Sequence, residues 1–214
     1  MQLGRITTKA NGKMKYDFYE DIHKQIVGID EVGRGSWSGP VVACSVLLEK
    51  KILHSNAINQ IRDSKLLVKN TRANLSSILK KNSKFSFGSS SASEIDKIGI
   101  LKATELAMKR SFNIFREFKC KVKVDGPRFF SLNENTEFMV KGELKSIAIA
   151  SASILAKVFR DNLMIGLSKK YPFYGWDRNS GYGTKLHKQC IDKFGVSDEH
   201  RMSFAPMKFL KNFK

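Results

Sequence analysis

Two carboxylates, Asp30 and Glu31, are adjacent in the run I-V-G-I-D-E-V-G-R-G-S-W-S-G-P that spans Ile26 to Pro40. Ile26, Val27, Ile29 and Val32 give that run the β-branched composition of a buried strand. A carboxylate buried there must be neutralised, paired or bound to a metal, and Arg34 is the one cation nearby in sequence. One guanidinium against two acids calls for a metal ion. Gly33, Gly35 and Gly39 surround Arg34, Ser36 and Ser38, a backbone suited to sharp turns and to close approach of a ligand. The plainer alternative is that acids at a strand end make turns or surface pairs. Successive strand residues point to opposite faces, so both acids reach one ion site only where the strand twists, bulges or ends. The glycines that follow supply such an end.

The remaining elements must bring further ligands to this pair. Pro40 to Leu48 reads as a second apolar strand, antiparallel to the first across the short glycine turn. Polar Arg62-Asp63-Ser64-Lys65 precedes a helical stretch from Thr71 to Leu79, and Phe85 to Ser91 alternates as a strand. Ile100, Ala103, Ala107, Ile114 and Phe118 predict a helix over 100–118. Lys121 to Asp125 reads as a strand that turns at Gly126-Pro127, placing Asp125 at a strand end, where α/β sheets gather ligand-binding groups. Glu137 to Val140 reads as a short strand. Ser146 to Lys170 is a second long helix, in which Ile154, Val158, Asp161 and Ile165 share one stripe. Asp161 on that stripe has two readings: a metal ligand, or the partner of Lys157 one turn back or of an inward Arg160. Tyr171 to Thr184 is an aromatic, glycine-rich loop, either pinned by its rings or offering a platform for sugar or base. A helix over 185–194 follows, and the tail from Val196 ends in alternating Lys and Phe as a terminal helix or arm.

With 214 residues the chain has room for one α/β domain. We divide it into a loose basic N-terminal arm or short helix, 1–24, and a domain over 25–214 with a helical C-terminal part. Lys and Arg number 38 against 20 Asp and Glu, a net charge of +18 that suits a polyanionic partner. A generally Lys-rich composition would give the same charge for solubility alone, but here the basic residues recur in many short groups rather than one tail. Cys44, Cys120 and Cys190 are far apart and lack zinc or redox spacing, so they read as reduced thiols of a cytoplasmic protein. No apolar stretch approaches the ~20 residues of a membrane span, and no signal peptide is apparent.

Taken in order, the motifs resemble the ribonuclease HII (type 2 ribonuclease H) family. D-E-V-G-R-G stands at Asp30 to Gly35, D-S-K at Asp63 to Lys65 and V-D-G at Val124 to Gly126. A-S-I-L-A-K-V-F-R-D covers Ala152 to Asp161, and G-Y-G-T and E-H-R-x-S-F close the series. The resemblance implies a ribonuclease H-like α/β fold with a mixed central sheet flanked by helices. It also implies that Asp30, Glu31, Asp125 and Asp161 are catalytic metal ligands for two Mg²⁺ or Mn²⁺ ions. Such ions, about 4 Å apart, activate water and stabilise a leaving 3'-oxygen, and their hard character suits carboxylates. Gly33, Arg34 and Gly35 are implied to contact the ribonucleotide, Tyr182 to stack on the neighbouring sugar, and Ser64 and Lys65 to lie near the nucleic-acid backbone. A capped turn before a helix explains D-S-K equally well.

Three departures from the family pattern stand out. Leu66 replaces a second lysine after D-S-K, Glu143 replaces an aspartate in K-G-D, and Gly183 replaces the proline of G-Y-P-T. Arg34 between the glycines favours type 2 over type 3. The expected activity is endonucleolytic cleavage of RNA in RNA/DNA hybrids and at single ribonucleotides in duplex DNA, by a monomer, with contact to a replication clamp left open. The alternatives are another nuclease of the same superfold, such as a junction resolvase, and a basic nucleic-acid-binding protein without catalysis.

Overall fold

A computed structural model describes residues 7–10, 13–17, 19–61 and 67–210. The central sheet has five strands: β3 (Val27–Val32), β4 (Val41–Leu48), β5 (Ser83–Ser90), β6 (Val122–Asp125) and β7 (Thr136–Met139). Their order is β5-β4-β3-β6-β7. β4 runs antiparallel to β3 and to β5, whereas β6 is parallel to β3 and β7 to β6, so the sheet is mixed. Ahead of it, β1 (Thr7–Ala10) and β2 (Lys13–Asp17) form a separate antiparallel ribbon, followed by a short helix, α1 (Glu20–His23).

Strand alternation sorts the core into two layers. On one face Val27, Ile29, Val41, Ala43, Val122 and Val124 meet Ala103, Ala107 and Met108 of α4 (Ile100–Phe112). On the other, Cys44, Val46 and Leu48 meet Leu75 and Leu79 of α2 (Lys69–Lys81) and the first half of α5 (Ile147–Lys170). Gly28 is what lets α5 lie so close, because a Cβ there would fall 2.2 Å from the Ala148 carbonyl carbon. A third cluster, with Met164, Tyr174, Trp176, Cys190, Ile191 and Met207, joins the end of α5 to α6 (Trp176–Asn179), α7 (Lys185–Phe194) and α8 (Met207–Leu210).

The sheet and both long helices fall where the residue pattern puts them, with two local differences. α4 stops at Phe112, and a 3₁₀ turn over Asn113–Phe115 carries the stripe onward. Phe112, Phe115 and Phe118 touch at three-residue spacing, which mimics helical periodicity past the true end. A further helix, α3 (Ala92–Ile98), begins with a Ser91–Glu94 capping box, an S-x-x-E signal legible in the sequence. At the N-terminal side, Tyr19, Asp21 and Ile22 are buried against the domain, with Lys123 Nζ 2.7 Å from Asp21. The three thiols are free, and Cys44 and Cys190 are buried. Among the described residues no helix is long and apolar enough to cross a membrane.

Candidate active site

Asp30 and Asp125 meet at the carboxyl ends of two parallel strands. β3 and β6 pair in register up to Ile29 and Val124, so the two acids stand one residue further, on strands about 4.8 Å apart. Both lie on the α5 face. Asp30 is buried, with its Oδ1 accepting from the Glu31 amide at 2.7 Å and with Ser153 of α5 hydrogen-bonded to it. Burial, with Glu31 and Asp125 nearby, raises the Asp30 carboxyl well above the usual carboxylate range. Asp125 is oriented by the Gly142 amide, which donates to its Oδ1 at 2.7 Å.

Glu31 follows on the alternate pleat but stays within the same field. β3 ends one residue later, and Gly33 takes φ +93°. Burial pushes the Glu31 carboxyl up and Asp125 adds to the rise, while Arg34, whose Nη1 lies 3.3 Å from Oε1, opposes it. Among the described residues Arg34 is thus the cation paired at this cluster of Asp30, Glu31 and Asp125.

Asp161 has its own set of partners. Lys157 Nζ lies 2.7 Å from Oδ1, Ser180 Oγ donates at 3.0 Å and Arg72 Nη1 is 3.5 Å from Oδ2. The intrahelical pair expected as one reading of the sequence is thus present. Ser153, Lys157 and Asp161 nevertheless share one face of α5 at i, i+4 and i+8, and that face begins beneath Asp30. Among the described residues no three His, Cys, Asp or Glu side chains converge tightly enough to chelate an ion as they stand. The donor set is still all carboxylate oxygen, with excess negative charge at the sheet end, and its chemistry fits a hard divalent ion.

Next to the acids the glycine turn comes up against Tyr182. A Cβ at Gly35 would reach van der Waals contact with the Tyr182 ring, at 4.0 Å, and Tyr182 is 38% exposed. Gly33 serves a different end, since its Cβ would land 2.2 Å from Arg160 Nε. Ser64 and Lys65 lie outside the described residues; Arg72, which holds Asp161, also donates from Nη2 to Leu67 O at 2.7 Å.

The ribonuclease HII family model matches residues 27–207. Ribonuclease HII of Pelagibacter ubique (strain HTCC1062) is 44% identical over 187 residues, covering 86% of this chain and 97% of that one. This chain belongs to the ribonuclease HII family. The Staphylococcus epidermidis ribonuclease HII is also 44% identical, over 86% of this chain and 70% of its own length. Among solved structures, ribonuclease H2 of Pyrococcus horikoshii superposes with a TM-score of 0.69 at 23% identity, over 87% of this chain and 97% of that one. Bst-RNase HIII in complex with Mn²⁺ gives 0.69 at 16% identity, over 94% of this chain and 75% of that one. At such identities these structures establish the ribonuclease H-like fold. As a ribonuclease HII, the chain is a divalent-metal-dependent endonuclease that hydrolyses RNA in RNA/DNA hybrids.

Several residues that support this ribonuclease HII site carry no functional signal of their own in the sequence, although they lie within the motifs and elements quoted above. Trp37 is one: a Cβ at Gly183 would fall 2.1 Å from its indole, so Gly183, in place of the usual proline, makes room for Trp37. Arg160 and Arg201 are wholly buried. His187 and His200 are buried too, with their Nε2 atoms 3.2 Å apart. Trp176 Nε1 donates to His187 Nε2 at 3.2 Å, and His187 Nδ1 bonds the Tyr182 carbonyl at 2.9 Å. The Ser197 amide donates to His200 Nδ1 at 2.9 Å, leaving His200 Nε2 to carry the proton between the rings.

Both rings are therefore required neutral, and burial lowers both imidazoles, with His187 pushing His200 further, to about 4. In the unfolded chain each titrates near 6.5, so between pH 6.5 and 4 the unfolded state binds more protons and stability falls as pH falls. A urea-unfolding series across that range is expected to show roughly 2–3 kcal/mol of loss from His200. The slope should flatten in His200→Gln; an unchanged slope would remove the pair from the stability account.

Proposed function

We propose that this ribonuclease HII also nicks duplex DNA at a single embedded ribonucleotide, leaving 5'-phosphate and 3'-hydroxyl ends, and works as a cytoplasmic monomer. Asp30, Glu31, Asp125 and Asp161 would hold two Mg²⁺ or Mn²⁺ ions. When bound, these ions supply an activated water and charge stabilisation for the departing 3'-oxygen. The observation that supports the assignment above all is the juxtaposition of Asp30 and Asp125 at the ends of parallel strands, with Glu31 in the same field. The Bst-RNase HIII neighbour was solved in complex with Mn²⁺, which is consistent with this choice of ion.

The chain's own residues do the rest. Ser153 and the Glu31 amide fix the Asp30 carboxylate, and the Gly142 amide fixes that of Asp125. Lys157 and Arg72 hold Asp161 until it is needed as a ligand. The ribose is received at the glycine turn beside Tyr182, where backbone groups of Gly33, Arg34 and Gly35 approach the 2'-hydroxyl and the Tyr182 ring stacks on the adjoining sugar. Ser64 and Lys65 are assigned to the nucleic-acid backbone.

One cleavage assay tests the reading. Duplex DNA carrying one ribonucleotide, plain duplex DNA and a four-way junction are each incubated with Mg²⁺ or Mn²⁺, and in parallel with chelator. Metal-dependent cutting beside the ribonucleotide alone is expected. Cutting of the junction would favour a resolvase, and metal-independent binding without cutting would leave only a nucleic-acid-binding protein.

A further inference from the structure

Two guanidiniums lie wholly buried beneath the glycine turn, and among the described residues neither makes a salt bridge. Burying a cation without a direct ion pair is costly, and it persists only where many hydrogen bonds surround it. Here all of those bonds go to backbone carbonyls. Arg201 donates to Gly39 O from Nε at 3.0 Å and from Nη2 at 2.9 Å, and to Arg34 O from Nη1 at 2.9 Å. Arg160 donates from Nε to Pro40 O at 2.9 Å, from Nη2 to Ser38 O at 3.1 Å and from Nη1 to Ser180 O at 2.9 Å.

The two forks do different things. Arg201 spans the turn, tying its start at Arg34 to its end at Gly39. Arg160 joins the turn to Ser180, two residues before Tyr182, and its guanidinium carbon lies 5.8 Å from the Tyr182 ring centroid. Amides of Trp37 and Ser38 reach Gly181 O at 2.8 and 3.3 Å and complete the joint. Arg160 also occupies the space that Gly33 leaves by having no Cβ. An apolar side chain could fill the same volume but would leave the carbonyls of Ser38, Pro40 and Ser180 without this donor.

We infer that Arg160 and Arg201 are positioning residues for sugar recognition: their planar forks fix the Gly33-Arg34-Gly35 turn relative to the Tyr182 ring. The inference rests on the reading of that turn and ring as the ribose site. Neither arginine touches substrate; each acts through the backbone it holds. Lysine keeps the charge but presents a single point donor, so it cannot hold two or three carbonyls in one plane.

The test compares Arg160→Lys and Arg201→Lys with the unaltered enzyme on two substrates, a duplex with one embedded ribonucleotide and a long RNA/DNA hybrid. A roughly 10–100-fold fall in kcat/KM is expected on the first, the range seen when a supporting partner of a functional group is lost. The hybrid should lose only a few-fold, and Mn²⁺ affinity measured by calorimetry should not change. Asp96→Ala gives a milder variant, because the partly exposed Asp96 carboxylate anchors the Met202 and Ser203 amides next to Arg201 at 2.8 Å each. Its effect should be smaller and in the same direction, and it remains informative where a lysine variant does not fold. Equal losses on both substrates, or none, in variants that melt as the parent does would overturn the inference. Tyr182→Ala is the control: if it too leaves the preference intact, the sugar-site reading has failed, whereas if it alone abolishes the preference, only the role of the arginines has failed.

Discussion

Asp30→Asn is expected to abolish cleavage while making the metal-free protein more stable. Asn keeps an Oδ1 that can accept from the Glu31 amide and from Ser153, so the local geometry survives. What is lost is a charge that burial and two neighbouring acids oppose. An acid whose carboxyl is raised in the folded state binds protons more readily there than when unfolded. Stability therefore falls as pH rises through that window, and it stays reduced at neutral pH. Removing the charge should return about 1 kcal/mol, a Tm increase of about 2–4 °C for a chain of this size. Activity should drop by about 10³-fold or more, as when a preorganised electrostatic group is deleted. Differential scanning calorimetry in chelator and a hybrid-cleavage assay read the two effects. A variant that is less stable and still active would place Asp30 among structural acids.

Tyr182→Ala is expected to separate the two substrates. Its ring lies beside Gly35 of the glycine turn, and a nucleotide stacked on an aromatic is worth about 1–3 kcal/mol, so cleavage at a single embedded ribonucleotide should fall by about 10–100-fold. A long hybrid offers contacts along its whole length and should lose less. The ring is partly exposed, and the Tyr182 carbonyl that holds His187 is kept in the variant, so the fold should tolerate the change. Equal losses on both substrates would mean that the ring supports the loop and does not read the sugar.

The acids are legible in the sequence because carboxylates on apolar stripes and strand ends are chemically conspicuous, and the strands that carry them have clean alternation. What the sequence conceals is how they are held. Arg160 stands beside Asp161 in the helix motif and reads there only as its salt-bridge partner, yet its guanidinium turns away to three carbonyls. Nothing in local spacing says that an arginine serves a bend 120 residues away. His187 and His200 read as ordinary histidines, and their pairing depends on a fold-level contact between α7 and the closing segment. Asp161 shows the converse limit. Its pair with Lys157 is the local interaction that helix geometry foretells, and it coexists with a place on the face that starts under Asp30.

Trp37 and Gly183 form a lock and its notch, so neither position is free to drift alone. A chimera that grafts the proline loop of a relative onto this chain would drive the ring into the indole, a steric conflict of the kind that costs about 1–3 kcal/mol, unless a smaller residue travels with it at 37. Exchange of recognition loops among these enzymes is therefore a matter of matched pairs, and the two substitutions have to be inherited together.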